Sequence, residues 1–99
     1  MSNMSDKEIK LREQLEEEVK VWVKEESVRR FQIARETMEK HGRETEEHLR
    51  QKGIKETGQI ASETQLGISY AKSELYKEVK FEADNWIEEE VKKRLKGGE

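Results

Sequence analysis

His41, Glu44 and His48 are the residues of this chain best placed by type and spacing to do chemistry. Residues three, four and seven apart share one face of a helix. Two imidazoles and a carboxylate on one face suit a metal ion, or a polar layer that titrates near neutral pH. The competing reading is a set of partly exposed polar side chains in a thinly packed stretch. The Glu-x-x-His spacing of carboxylate-bridged metal bundles is absent, because Met38 and Thr45 stand three before the histidines. The three residues therefore remain candidate metal ligands, and no cofactor is expected.

Other chemistry finds less support. The sequence has no cysteine nucleophile and no glycine loop with phosphate-binding spacing. Ser62, Ser69 and Ser73 have no histidine and acid arranged around them as a catalytic set. The expectation is a non-enzyme. Arg29, Arg30, Arg35, Lys40, Arg43 and Arg50 thicken the middle of the first half. They could follow a phosphate backbone. Glu36, Glu39, Glu44, Glu46 and Glu47 interleave with them, which favours a solvated face of i,i+4 pairs. No aromatic residues alternate with the arginines to stack single-stranded bases. The acid runs Glu16, Glu17, Glu18 and Glu88, Glu89, Glu90 read as orienting charges, the first run matching Lys92, Lys93 and Arg94 on the other half.

Any such residues must be held by the elements that 99 residues can build. Charged residues make up 43% and hydrophobic residues 31%, too few apolar side chains for a compact core. The apolar residues are periodic and proline is absent, so a long thin helical structure is expected rather than disorder. The net charge of −3 argues against nucleic acid as the default partner. No apolar run has the length to span a membrane. Met1-Ser2-Asn3-Met4 has neither a basic leader nor an apolar stretch, and no cysteine is present. These features point to the cytoplasm or another reducing compartment.

Ser5-Asp6-Lys7-Glu8 is a capping box and starts a first helix. Leu11, Leu15, Val19, Trp22, Val28, Phe31, Ala34, Met38, Thr45 and Leu49 follow at helical spacing. Gly53 suits a Schellman ending, with Leu49 and Ile54 as its apolar contact and Arg50 and Lys52 near the negative end of the dipole. Gly42 then marks a bend or a tight crossing; a break there would make three helices. Thr57 is the N-cap of a second helix that ends at Gly97-Gly98. The expected single domain has helix one at about 5–52, a turn at about 53–58 and helix two at about 59–96. Apolar residues mirror about residues 53–55, pairing Leu15 with Leu95, Val19 with Val91, Trp22 with Ile87, Phe31 with Val79, Met38 with Ala71, and Leu49 with Ile60 or Ala61. This is the pattern of a long antiparallel, coiled-coil-like hairpin. Its spacing drifts toward eleven residues in helix two, which predicts a straighter coil than heptads give.

One seam does not use all the apolar residues. Val21, Trp22 and Val23 are consecutive, and Ile33, Leu66, Tyr70, Tyr76 and Phe81 lie off the stripe. A second hairpin would cover them, so a homodimeric four-helix bundle is expected. Its assembly residues are Leu15, Val19, Trp22, Phe31, Leu75, Val79, Phe81, Trp86, Ile87 and Val91. The half nearer the turn relies on Thr45, Ala61, Thr64 and Ala71 and is expected to be the less stable. Its tip, about 49–67, is the expected contact for a protein partner. The functional expectation is a non-catalytic structural and protein-interaction module. The alternatives are a small nucleic-acid-associated or regulatory protein using the basic stretch, and a metal- or ligand-binding bundle.

Overall fold

The chain is all-α, an antiparallel hairpin of two long helices. The computed structural model describes residues 5–97. Helix α1 runs Asp6–Gln51 and α2 runs Gly58–Gly97. Residues 1–4 and 98–99, among them the Gly98 expected at the end of helix two, lie outside the described residues. Ser5 caps α1: its Oγ accepts from the Glu8 backbone N–H at 3.1 Å, and its carbonyl accepts from Ile9 at 3.0 Å. The Glu8 carboxylate accepts from Arg12 at 3.2 Å.

The packing divides into two units. The terminal unit comprises Met1–Glu26 and Lys77–Glu99; the turn unit is Ser27–Tyr76. In the terminal unit Leu15, Ile87 and Val91 form one buried cluster, flanked by Leu11, Val19 and Leu95. Val23, Val79 and Ala83 form a second, with Val19 packed against it too. Both helices therefore supply apolar residues in steps of four: Leu11, Leu15, Val19, Val23 against Val79, Ala83, Ile87, Val91, Leu95. A four-residue step overshoots the 3.6-residue turn, so the stripe winds slowly around each helix. The buried clusters of this unit follow that four-residue step.

The register differs from the mirror reading. Leu15 clusters with Ile87 and Val91, one to two turns before Leu95. In the turn unit, Met38 Cε comes up against Gly67, one turn before Ala71. Ile87 is thus taken by Leu15 and Val91, and Val79 by Val23 and Ala83, leaving Trp22 42% exposed beside the seam. The cause lies in the connection. Residues 54–57 are non-helical. Such a residue advances the chain by up to about 3.3 Å, against about 1.5 Å in a helix. An extended connection carries the chain back along α1 before α2 begins, which accounts for Leu15 meeting Val91 and Met38 meeting Gly67, each about one turn from the mirror partner.

The reversal itself is a Schellman motif. Gly53 has φ 88°, in the left-handed region that favours glycine. The Ile54 N–H donates to the Leu49 carbonyl at 3.0 Å and the Gly53 N–H to that of Arg50 at 2.9 Å, satisfying two carbonyls at the helix end. Thr57 is buried just before α2, and its carbonyl accepts from Ile60 at 3.0 Å. Beyond the turn the helices approach through glycine. A Cβ on Gly42 would stand 2.7 Å from Thr64 Oγ1, and one on Gly67 would stand 2.8 Å from Met38 Cε. Gly42 thus marks a tight crossing within one continuous helix. Ile68 is buried here, whereas Ala61, expected on the seam, is exposed.

Candidate interaction surface

A concavity lies in the terminal unit and grows from a repeated sequence pattern. Glu18-Val19 precedes Trp22 on α1 as Glu82-Ala83 precedes Trp86 on α2. In each helix the glutamate stands four residues before the tryptophan, so the two share a face. Val19 packs against the cluster that contains Ala83, placing the two patterns side by side and running in opposite directions. The result is a groove of about 460 Å³ lined by Glu18, Val19, Trp22, Glu82, Ala83 and Trp86. Its floor is aliphatic, its walls are indoles and its charged lining groups are carboxylates. The opposed patterns give it an approximate local two-fold symmetry. Trp22 and Trp86 are 42% and 41% exposed, so their rings are only partly withdrawn from water.

Glu18 departs from the sequence expectation. The expected partners of its run are Lys92, Lys93 and Arg94, but Glu18 lines the groove with Trp86 and Glu82, while Arg94 pairs with Glu90 on its own helix at 3.2 Å. A cross-helix ion pair does join Arg12 and Glu88, with a second contact from Arg12 NH2 to Glu88 Oε2 at 3.0 Å. The bonded guanidinium holds the Glu88 carboxyl below the usual carboxylate range, and the same bond raises the Arg12 pKa. Sequence reasoning missed this pair because the mirror register sets the two residues about three turns apart.

The residues expected to mediate assembly fall into two groups. Leu15, Val79, Ile87 and Val91 are buried in the chain's own seam, and Val19 and Leu75 are half-buried. Trp22, Phe81 and Trp86 stay exposed, Phe81 at 67%. Phe31 is half-buried with the Lys72 ammonium 5.8 Å from its ring centre. Val28, Ile33, Leu66, Tyr70 and Tyr76 are also exposed.

The polar candidates are placed as follows. His41, Glu44 and His48 are all exposed on α1. Among the described residues, no group of three or more His, Asp or Glu side chains is gathered to hold a metal ion. In the basic stretch, Arg35 pairs with Glu39 at 3.4 Å and Arg50 with Glu46 at 3.3 Å. Ser62, Ser69 and Ser73 are exposed, and Ser69 Oγ donates to the Gln65 carbonyl at 3.2 Å. Among the described residues no helix is long and apolar enough to cross a membrane. No protein-family model, curated protein or solved structure matches the chain.

Proposed function

We propose that the protein is a non-catalytic structural and interaction module that self-associates, two hairpins forming a four-helix bundle. The observation that carries this reading is the exposed indole pair, Trp22 and Trp86, flanking an apolar-floored groove. Large aromatic side chains gathered around a concavity are the usual anchors of helical association. A second helical surface laid on the groove would remove both rings from water, at about 25 cal/mol per Å² of apolar area. The tip at about 49–67, where Ile54 and Leu66 are exposed, is the second contact region, for a protein partner. A reducing compartment such as the cytoplasm suits a chain without cysteine. The basic stretch supports nucleic-acid binding less well, because its arginines pair with neighbouring glutamates.

The test is mass by light scattering at roughly 100 µM chain, where a micromolar Kd leaves little monomer. Wild type should weigh twice 11.8 kDa. Trp22→Ala should shift the protein toward monomer while its helix content by circular dichroism stays unchanged. A monomeric wild type overturns the proposal.

A further inference from the structure

The Trp22–Trp86 groove has a chemistry of its own, whether or not a second hairpin covers it. All of its lining residues belong to the terminal unit. A helical side chain leaves the backbone tilted toward the N-terminus of its own helix. Trp22 therefore leans back over Glu18 and Val19, and Trp86 over Glu82 and Ala83. Because the helices are antiparallel, the two indoles lean toward each other along the groove. The face of an indole attracts a cation more strongly than that of any other side chain. Glu18 adds a negative charge to the lining. Among the described residues it has no ion-pair or hydrogen-bond partner, whereas Glu82 already interacts elsewhere in the chain. The floor, Val19 and Ala83, has no side-chain hydrogen-bonding group. The groove thus favours a cation that needs no hydrogen bonds. An ammonium carries three N–H donors and strong hydration that an aliphatic floor does not replace. A trimethylammonium keeps the charge, has no N–H and turns methyl groups outward.

Two features select the carrier of that group. Trp22 and Trp86 remain 42% and 41% exposed, so the groove covers one side of an occupant and does not enclose a free small molecule. A side chain delivered by a partner protein is held by its own backbone as well. The second feature is Glu18. A phosphocholine or a betaine would bring an anion of its own against this carboxylate. The methylenes of a lysine side chain instead lie along apolar surface without electrostatic cost.

We infer that the groove receives a trimethylated lysine side chain of a partner protein, its quaternary ammonium between the two indoles, its methylenes on Val19 and Ala83 and its charge near Glu18. The volume of about 460 Å³ is in the range of sites for small organic groups. This inference goes beyond the self-association proposed above and does not rest on it; a second hairpin and the methylated side chain would occupy the groove in turn.

Trp22 and Trp86 are the only tryptophans of the sequence and both line the groove, so indole fluorescence reports on it directly. The test titrates the full chain, at about 5 µM to keep weak dimers dissociated, with a glycine-serine peptide carrying one trimethyl-lysine. Emission should change saturably. The same peptide with unmodified lysine should bind at least about tenfold more weakly, and so should one whose trimethylammonium is replaced by an uncharged tert-butyl group. Trp22→Ala and Trp86→Ala, each read from the remaining indole, should weaken binding about tenfold with helix content by circular dichroism unchanged. Glu18→Gln should weaken it less and remove most of its salt dependence. Equal binding of the tert-butyl peptide overturns the inference and leaves a merely apolar groove. Equal binding of the unmodified peptide overturns the role of methylation. Tetramethylammonium or choline binding as tightly as the peptide assigns the groove to a free cation and overturns the lysine carrier. Light scattering on the same preparations separates this inference from self-association. A monomeric wild type that binds the peptide supports the inference and removes self-association. A dimeric wild type whose fluorescence ignores the peptide overturns the inference alone.

Discussion

The terminal and turn units hold two antiparallel helical segments together by different means. The terminal unit interlocks branched aliphatic side chains, with Leu15 and Val79 fully buried and Val23, Ala83, Ile87 and Val91 nearly so. The turn unit brings backbone close to side chain instead: Gly42 lies under Thr64 and Gly67 under Met38. Aliphatic burial supplies hydrophobic stabilisation in proportion to area. Close approach at glycine gains dispersion contacts, but each glycine costs about 1 kcal/mol of helix propensity relative to alanine. The same hairpin topology thus has one segment whose seam sets stability and one whose seam sets spacing.

The comparison breaks most visibly at Leu15. Leu15→Ala removes a fully buried side chain and should cost about 2–5 kcal/mol, lowering the melting temperature by roughly 10 °C or more. Native-state hydrogen exchange should then show the lost protection in residues 6–26 and 77–97. A shift within a few tenths of a kcal/mol would mean that the aliphatic seam is not what holds the terminal unit.

The two glycine contacts sharpen the contrast, because the same substitution should act with opposite signs. At Gly42 the added methyl meets a short β-branched side chain whose Oγ1 already donates to the Ile60 carbonyl at 2.8 Å. Thr64 cannot turn aside without presenting another heavy atom, so the helices must part. Gly42→Ala should lose about 1 kcal/mol despite the propensity gain. At Gly67 the methyl meets only the tip of flexible Met38. Gly67→Ala should be neutral or raise stability by up to about 1 kcal/mol. Chemical denaturation of the two variants side by side reads both signs.

The smallest effect belongs to the Arg12–Glu88 pair. Its folded carboxyl titrates below the ordinary range, so its contribution is fully present above the unfolded carboxylate pKa and fades as pH falls through the folded one. The pair is well exposed, Glu88 at 51%, so solvent screens it heavily. Glu88→Gln should leave the melting temperature at pH 7 little changed and flatten its decline in acid. An unaltered acid limb would show that the pair does not outlast solvent competition.

Local chemistry made the elements readable in the amino acids. Ser5 and Glu8 mark the start of α1, and Gly53 with Ile54 and Leu49 marks its end. These signals are legible because capping and a positive φ depend on a few neighbouring residues. Periodic Leu, Val and Ile likewise announce two helices that share a seam. The groove is half legible: Trp22 and Trp86 stand out as assembly residues, but Glu18 reads as an orienting charge for the basic run and Glu82 carries no signal of its own.

What the sequence alone determined, then, was two capped helices, their antiparallel sense and the residues with an apolar face to bury. Only the tertiary structure decided the register, and with it the Arg12–Glu88 pair, the glycine contacts and the meeting of two Glu-x-x-x-Trp patterns in one groove. The physical reason is that helix identity is summed from short-range preferences, whereas register depends on the path of the six non-helical residues 52–57. A change of a few ångströms in that path moves every cross-helix partner by a turn.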